Sequence, residues 1–162
     1  MDQLSRFRDA QDDEDGGFEA AMAELAQGRK RTHWIWYVFP QIQGLGSSGM
    51  SRHFGVRGLE EAQAYLRDDV LRNRLARATD VVADQLQRPQ PPRLDELMGS
   101  HVDALKLVSS LTLFEVAAAD LHAREPHAEV AHIATRAAEV LAAAEAQGYG
   151  RCHFTVRHLA SA

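Results

Sequence analysis

Cysteine is almost missing from this chain. A single residue, Cys152, serves all 162 positions, which excludes an intramolecular disulfide framework and any metal site built from several thiolates. A reducing, cytoplasmic setting fits that usage. Long apolar runs are missing too. Nothing approaches the about 18 consecutive apolar residues of a membrane helix, so no membrane association is expected. The first residues, MDQLSRFRDAQDDEDGG, are acidic and contain no apolar stretch that would read as a signal peptide. Positive charge is in deficit, with a formal net charge of −5. Only Arg29, Lys30 and Arg31 form a basic run, and phosphate-backbone binding needs broader positive coverage, so a nucleic-acid partner is not expected. Internal repeats, coiled-coil heptads and a domain-dividing linker are absent as well.

What is present is the composition of an ordinary globular protein, 45% apolar and 25% charged. The length suits one domain spanning residues 1–162, long enough to bury a single sizeable core. Helical punctuation recurs along it. A short helix is expected from Leu4 to Gln11, and Phe18, Met22, Leu25 and Ala26 mark the apolar face of a second, stopped at Gly28. After Gly58, Leu59, Ala62, Leu66, Leu75, Ala78 and Val82 keep a helical stripe that should split near Asp68 and Asp69. The prolines of RPQPPR make a loop. From Ser100 to His122 the chain is apolar nearly all round, as befits a helix in the middle of a bundle. Pro126 suits the first turn of an alanine-rich helix that Gly148 and Gly150 end. The tail RCHFTVRHLA fits either a short helix or an extended clasp. The reading is an all-α single compact domain of about six to eight helices around a buried central helix.

The richest side-chain chemistry lies in residues 29–49, RKRTHWIWYVFPQIQGLGSSG. Two Trp, a Tyr and a Phe fall between Trp34 and Phe39. Such a short apolar run suits a buried strand or a buried helical turn equally. Gly44, Gly46 and Gly49 match G-x-G-x-x-G literally, but no βαβ spacing surrounds them, so the dinucleotide reading fails. An anion-cradling loop and a tight turn both remain open. His33 and His53 could act as acid–base groups or as packing residues. The other histidines show no zinc-ligand spacing, and neither a metal nor a cofactor is expected.

A second constellation lies on the central helix. Asp103, Lys106 and Ser110 fall at i, i+3 and i+7, with Ser109 three residues beyond Lys106, so they share one side. The lysine could activate a serine. Alternatively, Asp103 and Lys106 pair while the serines bond back to the carbonyls four residues before them. Cys152, between Arg151 and His153, has the neighbours of a low-pKa thiolate, but no catalytic partner is visible and it reads as incidental.

Three blocks, KRTHWIWYVFPQIQGLGSS, EEAQAYLRDDVLRNRL and DALKLVSSLTLFE, resemble in this order the bacterial domain of unknown function 1810 family. The matching positions include Lys30, His33, Trp34, Trp36, Phe39, Pro40, Gln41, Gly44, Gly46, Ser48, Tyr65, Asp103, Lys106, Ser109, Ser110, Thr112 and Phe114. The resemblance covers nearly the whole chain and implies a mainly α-helical domain; it implies no activity, substrate or cofactor. It also puts polar residues in two distant blocks. These either share a cleft or lock the bundle as a buried network. The leading expectation is a pocket between the aromatic-glycine segment and the central helix, taking a small anionic, phosphorylated or nucleotide-like ligand. Its candidate residues are Lys30, His33, Trp36, Gln41, Gly46, Ser48, Asp103, Lys106, Ser109 and Ser110. A hydrolase or transferase using Lys106 with Ser109 or Ser110, and an interaction module without a ligand, are the alternatives. Oligomeric state leaves no signal in the sequence.

Overall fold

The structure is a computed structural model that describes residues 2–161. It is all-α, with ten helices among the described residues: α1 (Ser5–Gln11), α2 (Phe18–Ala26), α3 (Ile35–Val38), α4 (Gly49–His53), α5 (Leu59–Arg67), α6 (Asp69–Leu86), α7 (Leu94–Leu97), α8 (His101–Arg124), α9 (Ala128–Ala146) and α10 (His153–Ala160). The excess over six to eight comes from α3, α4 and α7. Each is about one turn long, below the length at which hydrophobic periodicity can be read.

The long stripe does divide at Asp68. Its carboxylate accepts from the N–H groups of Val70 and Leu71, capping α6 while its backbone turns to an extended conformation. Pro126 lies just outside α9 rather than in its first turn, because His127 is the cap and its Nδ1 accepts from Glu129 N–H.

Helix α8 is the centre. Every residue from Leu107 to Phe114 is buried. Eight consecutive positions cover more than two turns, hence every direction around the axis. Helix α9 packs along α8 and also against α6, and α5, α7, α10 and α3 complete the wrap. The aromatic block joins this core. Trp34 and Phe39 are fully buried, and Phe7 of α1 meets Tyr65 of α5 edge-on at 5.3 Å between centroids. Helical α3 resolves the ambiguity of WIWYVFP, and the turn is held from outside by Gln11, whose Nε2 donates to the Tyr37 carbonyl at 2.7 Å.

Residues 43–55, which carry the glycines and α4, form a loop closed at its base. A parallel bridge pairs Ile42 with Val56, with Gln43 N–H donating to the Val56 carbonyl at 2.7 Å and Val56 N–H to the Gln41 carbonyl at 2.8 Å. Arg6 of α1 reaches over and donates to the carbonyls of His53 and Gly55. The loop is therefore tied down at its neck, which fixes where its glycine rim can lie.

Candidate functional site

Residues 24–34 are organised by a residue that no sequence motif singles out. The Glu24 carboxylate, on α2, accepts from the N–H groups of Arg31 and Thr32, the Thr32 hydroxyl and Trp34 Nε1 at 2.6–3.0 Å. Burial opposes its ionisation. Four donors outweigh that, and its pKa falls to about 2. Thr32 thus serves Glu24 with both its N–H and its hydroxyl.

The segment then crosses to α8. Lys30 N–H donates to the Leu97 carbonyl at 2.8 Å, and Gly99 lies directly beneath the Lys30 backbone. Its φ of +83° suits only glycine, and a Cβ there would come within 2.6 Å of the Lys30 carbonyl oxygen. This close approach delivers Lys30 Nζ to Asp103 Oδ2 at 2.7 Å, with the lysine side chain 5% exposed. The other carboxylate oxygen faces Lys106 Nζ at 3.5 Å. Both ammonium groups lie over indole rings, Lys30 over Trp34 at 5.1 Å and Lys106 over Trp36 at 4.7 Å from the centroid. The two polar blocks of the sequence meet here, through one carboxylate.

Beside Lys106 opens a cavity of about 430 Å³, within the size range of small-ligand sites. Gln41, Leu45, Gly46 and Ser51 form one wall. Val102, Leu105, Lys106, Val108 and Ser109 of α8 form the second, and residues 150–153 the third. Among the described residues no carboxylate lines it, whereas Lys106, Arg151 and His153 do. Arg151 is engaged by Glu115 at 2.9 Å. Gln41 is 8% exposed, and its Nε2 has no hydrogen-bond partner. A buried amide without a partner is costly.

Of the sequence candidates, the cavity gathers Gln41, Gly46, Lys106 and Ser109. Lys30 and Asp103 stand behind it as the buried pair that positions Lys106. Trp36 supplies the ring under Lys106 and shares only a small void with Gln41; its Nε1 also has no partner. His33 is exposed and away from the cavity, contributing its carbonyl to the Tyr37 hydroxyl at 3.3 Å. Ser48 caps the short α4, accepting from Ser51 N–H at 3.1 Å, so the glycine loop spends that donor on itself. Ser110 is fully buried with its hydroxyl unpartnered. Ser109 donates to the Leu105 carbonyl at 3.0 Å, the back-bonding expected of a mid-helix serine, so its proton is directed away from Lys106.

The third wall is the part that sequence reasoning misses. Cys152 caps α10 and lines the cavity, a place that an R-C-H sequence just ahead of a helical stripe could have suggested. A larger groove of about 650 Å³ lies between Asp2, Gln3, Leu4 and Arg57, Glu60, Glu61, Ala64. It carries three carboxylates, and Glu61 is already held by Arg6 and Arg57, which makes it a poor place for an anion.

Among the described residues, no helix is long and apolar enough to cross a membrane. No curated protein matches the chain. A crystal structure at 1.38 Å of the conserved hypothetical protein Rv1873 from Mycobacterium tuberculosis is similar to it, with 37% identity and a TM-score of 0.79 over 98% of this chain and 96% of that one. Residues 1–132 match the family described as Protein of unknown function (DUF1810), a match that ends within α9 and before the third cavity wall. The chain belongs to the DUF1810 family.

Proposed function

We propose that the protein binds a small anionic ligand, phosphorylated or nucleotide-like, in the cavity between residues 41–51, α8 and residues 150–153. The observation that carries this reading is the polarity of the lining: Lys106, Gln41 and Ser51 line a space that no described carboxylate lines. Lys106 holds the charge of the ligand, while Gln41 and the Ser51 hydroxyl donate to its oxygens. Leu45, Val102, Leu105 and Val108 cover its apolar part. Asp103 is shared with Lys30, so Lys106 is oriented without being neutralised by a partner of its own. Gly46 packs directly against Ser51, since a Cβ there would meet the Ser51 side chain at 2.5 Å.

The test is a thermal-shift screen over nucleotides, sugar phosphates and phosphorylated carboxylates, with the wild-type chain and Lys106→Ala. A ligand at a hundred times its dissociation constant should add about 2.7 kcal/mol to stability. Lys106→Ala should weaken the same ligand about tenfold, the loss expected when one charged donor is removed. A flat screen would sink the reading and favour an interaction module.

A further inference from the structure

We infer that the ligand of this cavity is an aliphatic chain ending in one anionic group, its head beside Lys106 and its chain laid along Val102, Leu105 and Val108 of α8. This rests on the anion-binding reading above and names the class of ligand. Three observations carry it. The first is where the central helix is left uncovered. Helix α8 is buried on every side from Leu107 to Phe114, yet Val102 is 58% and Leu105 46% exposed. They stand one turn apart on the same face, and both line the cavity, as Val108 and Leu45 do. Large apolar side chains left open side by side at a cavity, rather than singly over the surface, mark a place that a ligand or partner covers.

The second observation is the kind of apolar group. Among the described residues no Phe, Tyr or Trp lines the cavity. Trp36, whose ring lies under Lys106 at 4.7 Å, is outside it. A nucleobase is held by stacking on an aromatic face or a guanidinium plane. Here there is no ring, and the Arg151 guanidinium donates twice to Glu115, at 3.2 and 2.9 Å. Valine and leucine methyl groups instead complement a methylene chain, through many small dispersion contacts. The third observation is the charge. Two ammonium groups, Lys30 and Lys106, meet one carboxylate, Asp103, so one positive charge in that group has no counterpart. It matches a single anionic group. A nucleoside di- or triphosphate would bring several charges, and the rim of the glycine loop is no cradle for them, because Ser48 Oγ already accepts from Ser51 N–H. Lys106 thus fixes which end of the chain lies where, and burial of methylenes sets the affinity, each one tightening binding about fourfold.

The experiment is titration calorimetry of the full chain with hexanoate, octanoate, octyl phosphate, the neutral octanol and adenosine monophosphate, all below micelle-forming concentrations. The expected result is one octanoate per chain, held about tenfold more tightly than hexanoate and about tenfold more tightly than octanol, with the nucleotide weakest. Either anionic head supports the inference, and the tighter of octanoate and octyl phosphate names it. Lys106→Ala should bring octanoate to the level of octanol. Leu105→Gln, at an exposed position, should flatten the difference between hexanoate and octanoate; Val102→Gln replaces it if that variant does not melt near the wild-type temperature. Equal binding of hexanoate and octanoate, several octanoates per chain, or octanol bound as tightly as octanoate would overturn the inference. If the nucleotide binds more tightly than octanoate and loses its affinity in Lys106→Ala, the aliphatic ligand falls and the anion pocket stands. If no anion binds, phosphorylated ones included, both fall, and the open row on α8 is left as a docking surface for a macromolecule.

Discussion

Two lysines share the Asp103 carboxylate, each over the face of a tryptophan, and they are not alike. Lys30 is closed in: its side chain is 5% exposed, 2.7 Å from Asp103, and the indole beneath it donates to Glu24. Its Nζ donates further to the Thr32 carbonyl at 2.5 Å. Lys106 is 23% exposed, 3.5 Å from the same carboxylate, over an indole whose Nε1 has no partner and at the edge of a cavity lined by Gln41, whose amide nitrogen also has none. Identical residue types with similar neighbours therefore do different work. The satisfied side locks residues 29–34 to the central helix, and the unsatisfied side keeps donors in reserve. Completeness of hydrogen bonding separates the two better than residue type does.

The largest effect that tests this contrast is Lys30→Met. The stem of the side chain is kept and the ammonium removed, which leaves the largely buried Asp103 with only the looser ion pair to Lys106. Removing one member of a buried pair costs about 3–5 kcal/mol, and the lower end is expected here because Lys106 remains. Equilibrium urea unfolding reads it. A loss well under 1 kcal/mol would mean that the closed side is no lock.

Glu24 gives a smaller, pH-dependent version of the same test. Its folded pKa of about 2 lies below the ordinary glutamate value near 4.3. The stabilisation is therefore fully present above the unfolded pKa and is lost as pH falls through the folded one. Glu24→Gln keeps the shape and one acceptor but removes the charge. At neutral pH it should cost about 1–2 kcal/mol, the value of charge-assisted hydrogen bonds discounted for a partly exposed carboxylate. The gap in melting temperature between wild type and variant should narrow steadily from about pH 5 downward and close only below about pH 2, once the folded wild type too carries a neutral side chain. A gap that persists unchanged at the acid end would mean that the second acceptor oxygen, not the charge, is what Glu24 supplies.

The sequence discloses this molecule unevenly, for physical reasons. Helix α8 is legible because burial on every side demands apolar residues on every side, and its ends and the break at Asp68 carry capping chemistry. Helix α3 is not. One turn of aromatic and β-branched residues has no period to read, and its helicity depends on Gln11 and on the core around Trp34. That Lys30 meets Asp103 depends on Gly99 lying under the Lys30 backbone, a long-range approach with no local trace. The same holds for the cavity. Gln41, Gly46, Lys106 and Ser109 can be named because they cluster in polar-rich blocks, but which candidates face a common space is set by packing. Packing leaves His33 outside, buries Ser110 and turns Ser48 to its own helix. Cys152 escapes notice when a cysteine is judged by the presence of a catalytic partner, because its surroundings are hydroxyls and a helix end reached from other parts of the chain.

The smallest effect is the most discriminating. Lys106→Met keeps the aliphatic stem over Trp36 and removes the ammonium, as Lys30→Met does at the other oxygen of Asp103. The ion pair that this variant removes is long and partly exposed, a class worth about 0–1 kcal/mol, and the cation–π attraction at such a site is worth about 0.5–1 kcal/mol. The two overlap, since one ammonium makes both, and the methionine stem recovers part of the packing on the ring. Lys106→Met should therefore cost no more than about 1 kcal/mol in the urea measurement that costs Lys30→Met about 3. Unequal losses mean that the charge of Lys106 is spare for a ligand. Equal losses would make both lysines members of one structural network and leave the cavity without its cation.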